Sequence, residues 1–584
     1  MLASADQNAL NVLDGNPIQV ALTVGWFALA AAVCAVLAMM LALRGSVSQD
    51  VLTLRREAAR STRGPLWKRL NLDIFFIIIA LTGFVLSLYV STSSALDPQT
   101  TLLISTPLTL VAPLLLVLAG VLLFLRCFPL LLRLGASLAS RRPAAPPMVA
   151  IAQMARSPRH ATRMILLLAL ASSFTIFTLI FNATQSQQIF NLTAYEVGAD
   201  FSGTLHQSAS SQPSLAQQTA AYRHIPGVIS ATLGNSTQAS PLGSNQNLTI
   251  ELRAVDTSTY AQTAIWTNQD ASQPLAALMQ DLSKRDAQLP PSDALHPSPI
   301  PAIVDALTWK ELDLSEGATF DLAPSDLSAS ITFLALDEVQ HIPTVYDSLA
   351  SGSTSDYTPP GGIVVDYQTF AQQLQQIAKT AIQPNQVWLR TAGDPASLAS
   401  VRAALKTGPL ALTSVEDRRA MMAQAQSDPL YINLVGILAL GAATAMLLAV
   451  VGNLLASWLT AKSRLTSFAL LRALGCTPGQ IASVLLYEQS IIYSAAIMLG
   501  VLFGGLLAAT VVPALVFSST PQAGDMSSGE FYVIQRVLPI QIILPSSLLV
   551  AFILLLALCV IALSMIARIV SKPSISQALR LNED

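Results

Sequence analysis

Histidine, cysteine, serine and the carboxylates are the residues with which a chain does covalent or metal chemistry. Here their spacing supports none. The five histidines, His160, His206, His224, His296 and His341, are scattered, whereas a metal site needs clustered donors. The four cysteines, Cys34, Cys127, Cys476 and Cys559, form no pair at ligand or redox spacing. No Gly-x-Ser-x-Gly run offers a nucleophile elbow. No Gly-x-x-x-x-Gly-Lys-Ser/Thr run offers a phosphate loop, because GCTPGQ (475–480) lacks the lysine. The expectation is a chain with no catalytic residue, no metal and no cofactor of its own.

A different kind of site stands out at 464–490. Phe468, Leu471 and Leu474, with Leu470 beside them, make an apolar face at helical spacing, and Arg464 and Arg472 lie off it. Gly475 suits a left-handed cap at the end of that helix. Thr477 followed by Pro478 suits the start of the next, with Thr as N-cap and Pro at the first helical position. The first helix, 464–476, is too short to span a bilayer and should lie along its surface. The second carries Ile481, Val484 and Leu485 into an apolar stretch and sets Glu488 at the membrane boundary. Further along, Gly500 and Gly504 stand four apart, a spacing that lets helices approach closely.

The elements that position these residues follow from composition. The chain is 584 residues long, 52% hydrophobic and 11% charged, with mean hydropathy +0.55. Soluble domains carry roughly 25% charged residues, so this is an α-helical integral membrane protein. Seven stretches approach the ~20 apolar residues a span needs: 18–43, 73–92, 106–126, 163–183, 431–458, 484–517 and 542–567. The first is not preceded by the basic region of a cleaved signal. Basic residues crowd into 44–72, 126–163, 459–480 and the tail. All these segments share the cytoplasmic side if the N-terminus is outside and the C-terminus cytoplasmic. The loop 186–430 is then extracytoplasmic. It carries a net charge of −12, against +10 for the remainder. An acidic external domain argues against nucleic-acid binding.

That external segment, about 245 residues, is long enough for its own core. Strand patterns at 200–205, 227–234, 248–256, 330–339, 361–367 and 386–391 alternate with helical ones at 214–225, 367–381 and 395–407. A mixed α/β domain is expected, with a possible inserted subdomain at 300–385 between Pro- and Ser-rich loops. The fourth span continues into the domain with no breaker before Gly198, and 414–438 reads as helical almost throughout, with Pro429 as a kink or a break before the fifth span. Two such stalks would carry displacement between membrane and domain.

The run RLTSFALLRALGCTPGQIASVLLYEQ resembles the signature of FtsX-like permeases, the membrane subunits of type VII ABC systems such as MacB and LolCDE. The match falls on Arg464, Leu471, Arg472, Ala473, Leu474, Gly475, Gln480, Ile481 and Glu488. It departs at Ser467, where the family usually has Glu. Pro573, Ala578, Leu579 and Arg580 resemble the family's ending. EVGADFSG, HIPGVISATLG, IPAIVDALTWKELDLSEGATFDL and SVEDRRAMMAQAQ resemble periplasmic-core segments of MacB-like proteins. The resemblance implies one module of 151–185, 186–430 and 431–584. The spans within 1–150 would then be a remnant of a first module plus linker spans, as in ten-span, two-module permeases. SVSQ (46–49) and SISQ (574–577) echo that duplication. The resemblance further implies a cytoplasmic ABC ATPase dimer that binds ATP and Mg, and a second permease copy or homologous permease. It also implies an extracytoplasmic delivery or acceptor protein, and a place in the bacterial cytoplasmic membrane. The cargo it implies is lipids, lipoproteins, peptides or antimicrobials. An FtsX-proper-like regulator of a cell-wall hydrolase and a receptor without transport are the rival readings.

Overall fold

The structure is a computed structural model. It describes residues 98–139, 145–206, 214–242, 250–288, 298–325, 330–345, 361–463, 475–516 and 538–571, less a few single positions, and isolated positions between 33 and 85. The spans expected at 18–43 and 73–92 fall largely outside these residues. The chain divides into two compact units. One comprises Met1–Asn182, Ser427–Leu515 and Leu544–Asp584, and the other Ala183–Gln426 and Val516–Ile543.

The first unit is helical. Its helices that are described over their length include α1 (Pro98–Ala139), α2 (Ala145–Arg156) and α3 (Pro158–Val197), and the last turns of α3 belong to the second unit. Among the described residues four helices are long and apolar enough to cross a membrane, through Leu115–Leu132, Ala161–Val197, Tyr431–Ala456 and Gly479–Pro513. A shorter apolar helix covers Ser547–Ile561. The basic stretch 126–163, read as a loop, instead holds the end of α1 and all of α2. Ala150 and Met154 explain this: they are fully buried, and Met154 joins a core with Phe128, Leu132, Ile165, Ile492 and Phe503.

The second unit is a mixed α/β domain built on one nine-stranded sheet. Its elements run β1 (Phe201–Leu205), α4 (Leu215–Arg223), β2 (Val228–Pro241), β3 (Ile250–Val255), α5 (Thr257–Thr263) and α6 (Leu275–Gln288). Then follow β4 (Ile300–Asp305), α7 (Ala306–Glu311), β5 (Thr319–Pro324), β6 (Ile331–Val339), β7 (Gly361–Asp366) and α8 (Tyr367–Ile377). The domain ends with β8 (Gln386–Thr391), α9 (Pro395–Lys406), β9 (Leu412–Asp417) and α10 (Arg418–Gln426). The first unit resumes with α11 (Pro429–Ser463), α12 (Pro478–Leu515) and α13 (Ser547–Ser571).

The strand order is β3-β7-β4-β6-β5-β2-β8-β1-β9, with β2 also paired to β3. That extra pairing closes the first six strands into a ring. β2 achieves this because it is long: 234–239 pairs with β3, 239–241 with β5 and 228–234 with β8. Successive strand side chains point to opposite faces. Ile300, Ala302 and Val304 therefore enter the core inside the ring with Leu252, Phe333 and Ile363, while Ile303 joins Leu275, Leu278 and Trp388 on the other face. The segment 300–385, read as a possible inserted subdomain, supplies β4 to β7 of this single sheet.

One local device recurs. Asp256, Asp305, Asp366, Asp394 and Asp417 each follow a strand or turn, and each accepts a backbone N–H from the helix that comes next. A side-chain oxygen there satisfies a donor the helix itself cannot. Helicity across 414–438 is corrected by this device. Residues 412–417 form β9 on the edge beside β1, Asp417 then starts α10, and α11 begins afresh at Pro429. Pro429 marks the break before the fifth span, not a kink: it is a first-turn residue of α11, where its missing N–H costs nothing.

Candidate functional site

The turn into α12 is built from side chains up. Gly475 has φ +94°, a conformation open to glycine and strained for other residues. Among the described residues nothing lies near enough to contact a Cβ there, and the backbone angle by itself favours glycine. Thr477 N–H donates to Gln480 Oε1 at 3.0 Å, and Gln480 N–H donates to Thr477 Oγ1 at 3.4 Å. This reciprocal box fixes the start of α12 at Pro478. Arg464, Phe468, Leu471, Arg472 and Leu474 lie outside the described residues. Glu488 is buried within α12, beside the equally buried Gln489.

Gly500 and Gly504 face α3. A Cβ on Gly504 would sit 2.9 Å from Ile176 Cβ and 3.0 Å from the Ser173 carbonyl oxygen. At Gly500 it would collide with Ser172 Oγ and lie 3.2 Å from the Ala169 carbonyl oxygen. The four-residue spacing is thus used for close packing of α12 on α3 within the chain.

The second unit holds a junction that sequence spacing did not single out. α3 ends at Val197, and Gly198 turns the chain with φ +68°. Asp200 Oδ1 accepts Arg418 Nη2 at 2.8 Å, while Oδ2 accepts the Thr391 N–H at 3.0 Å and pairs with Arg419 at 3.3 Å. Arg418 lies 5.1 Å over the Phe190 ring of α3. The pair is almost fully buried, with side chains 9% and 6% exposed. Arg253, also buried, pairs with Glu251, donates to the Pro343 carbonyl at 2.9 Å and stacks 5.5 Å over Trp388. Burial raises the carboxyl pKa of Glu416, opposed by the Ser202 hydroxyl and the charge of Arg253. Burial also pushes the Tyr260 hydroxyl up to about 12.

The connection 538–543 straps this junction. Gln269 donates to the Pro539 carbonyl at 2.7 Å, and Ile543 N–H donates to Thr184 Oγ1 at 3.1 Å. Leu538 is buried against Tyr195, whose hydroxyl donates to the Val345 carbonyl. Asp200 and Arg418 were detectable in sequence only as a Gly-Ala-Asp turn and a Glu-Asp-Arg-Arg run far apart. The strap has no sequence signal at all. Among the described residues no cluster of three or more His, Cys, Asp and Glu could hold a metal. In this arrangement helix ends are tied to a sheet by buried charge and backbone bonds.

No curated protein matches the chain in sequence. Solved structures that are similar include the periplasmic region of MacB from Actinobacillus actinomycetemcomitans, at 8% identity and TM-score 0.23, covering 41% of this chain and 96% of that one. The extracellular domain of the ABC-type transporter YknZ from Gram-positive bacteria is similar at 9% identity and TM-score 0.20, covering 35% of this chain and 88% of that one. Residues 439–575, which include most of α11, the Gly475 turn, α12 and α13, match the FtsX-like permease C-terminal family, and this part of the chain is identified as an FtsX-like permease C-terminal domain.

Proposed function

We propose that the chain is the membrane permease subunit of an ABC transporter, in which a separate cytoplasmic ATPase binds ATP and Mg. ATP hydrolysis there moves the extracytoplasmic domain through the segment 464–476 and the helices that flank it. The match of residues 439–575 to the FtsX-like permease C-terminal family carries this reading. It is supported by the contribution of α3 to both units and by the absence of a phosphate-loop run from the sequence. The chain works beside a second permease copy or a homologous permease in a bacterial cytoplasmic membrane, with its C-terminus cytoplasmic. Its work is the export or extraction of lipids, lipoproteins, peptides or antimicrobials, with an extracytoplasmic delivery or acceptor protein. The chain itself is non-catalytic.

The test is purification of the full chain from its native membrane in mild detergent. An ABC ATPase in near-equal amount, stimulated by the permease, is expected. Leu471→Asp combined with Leu474→Asp should abolish that stimulation while the chain still inserts. Unchanged stimulation in the double variant would remove 464–476 from the mechanism. A cell-wall hydrolase or signalling protein in place of the ATPase would overturn the transporter reading.

A further inference from the structure

The second unit carries a groove of about 480 Å³ that the coupling reading does not use. Its walls are the end of α5, the loop 264–274, the first residues of α6 and one side chain from β8, Arg390. Pockets of ~300–1,000 Å³ are the usual size for small-molecule ligands.

Two features give it a charge preference. Arg390 is exposed, donates only to the Gln262 carbonyl at 3.4 Å, and meets no carboxylate at ion-pair distance among the described residues. α6 opens onto the same groove with no acidic residue in its first turn, and Pro274 before it has no side chain that could cap. The free N–H groups of a helix start carry partial positive charge. Cation and helix end therefore favour an oxyanion, in a domain region whose net charge of −12 otherwise repels one. The remaining wall is mixed: Thr267, Asn268, Ser272 and Gln273 are polar, while Ala261, Ala264, Ala271 and Ile265 form an apolar strip with the half-buried Trp266, whose indole N–H is sealed without an acceptor among the described residues.

The loop's other bonds give the groove a consequence. Ile265 N–H donates to the Gly198 carbonyl at 2.8 Å, and Gln269 donates to Pro539 in the strap at 2.7 Å. The Asp270 carbonyl accepts the Gln340 N–H at 2.7 Å. The loop that lines the groove is thus the loop that holds the end of α3 and the 538–543 connection.

We infer that this groove binds an amphiphilic anion: a carboxylate or phosphate head at Arg390 and the start of α6, with a short apolar body along Ala261, Ala264 and Trp266. The inference is independent of the ATPase reading, because binding is measured on the permease alone. The full chain in phosphatidylcholine nanodiscs is titrated with hexyl phosphate, hexanoate, hexanol and inorganic phosphate. Trp266 emission is read against a Trp266→Phe blank.

Hexyl phosphate and hexanoate should give saturable changes. Hexanol and inorganic phosphate should each bind at least about tenfold more weakly, since each lacks one half of the recognition. Arg390→Gln should weaken hexyl phosphate by about tenfold or more, the scale of one lost charge-assisted hydrogen bond. Ala276→Glu guards against a folding artefact. A carboxylate in the first turn favours the helix but should abolish anion binding. Unchanged hexyl phosphate affinity in both variants, equal binding of hexanol, or no saturable change would overturn the proposal. Inorganic phosphate binding as tightly as hexyl phosphate would reduce the groove to a bare anion site and overturn the amphiphile assignment.

Discussion

Two glycines four residues apart differ in what their neighbours can yield. At Gly504 the obstacles are a β-branched side chain at its Cβ and a backbone oxygen, and neither can swing away. Gly504→Ala should therefore cost about 1–3 kcal/mol, the usual scale of overpacking. At Gly500 the first obstacle is the Ser172 hydroxyl, a rotor that donates to the Ala169 carbonyl at 3.0 Å. Gly500→Ala should be milder, and Ser172→Ala should rescue part of it while leaving Gly504→Ala unrescued. Thermal unfolding of the detergent-solubilised chain reads both. Titration supplies a second residue-scale expectation. Burial, then the negative charge of Asp366, push the Asp286 carboxyl up to about 7 from its ordinary 3.8, with Thr369 pulling the other way. The folded state then holds a proton that the unfolded state has lost, so stability falls as pH rises from about 4 through 7. Asp286→Asn should flatten that fall and raise the melting temperature at pH 8. An unchanged slope would show that Asp286 does not set it.

Elements in this chain are fixed by where strands stop. Most strand positions followed from alternation and β-branched runs, whereas the aspartates that end strands and start helices emerged only from the structure. What alternation did not expose was β4, β5 and β9. β4 is buried along its whole length and β9 is a partly solvated edge, so neither shows the half-buried pattern a single strand advertises. Residues 414–417 read as helix because the partner of β9, β1, lies some two hundred residues earlier, and no local signal encodes that pairing. The same distance hides the Asp200–Arg418 pair that fastens β1 to the start of α10. Breaking such a pair strands a buried charge, so Arg418→Met should cost about 3–5 kcal/mol. Adding Asp200→Asn to it should recover part of the loss, measurable as a coupling energy in a double-mutant cycle of unfolding midpoints. If the two losses simply add, the pair is not a unit.

At the scale of the whole molecule, the apolar stretches at 106–126, 163–183, 431–458 and 484–517 were legible because bilayer thickness acts on composition alone. The packing of helices was not, because lipid and protein neighbours look alike in hydropathy. Ile437 and Leu448 on α11 stay about two-thirds exposed within the chain while Met154 in a basic connection is buried, and nothing in their local sequence ranks them so. A mechanical reading of such a molecule depends on stiff turns as much as on long helices. Gly475 is the turn to test, because its φ is +94° and no described residue lies within contact of a Cβ there. Valine there should incur about 1–3 kcal/mol of backbone strain, whereas asparagine tolerates positive φ better. If 464–476 passes force to α12 through this turn, Gly475→Val should cut stimulation of the partner ATPase by about tenfold, on the scale of that strain. Gly475→Asn should keep most of it, and both variants should insert and co-purify with the ATPase. Equal loss in both would mean that the glycine serves a contact with the partner. No loss in either would mean that the turn is mechanically idle and that force enters α12 downstream of Pro478.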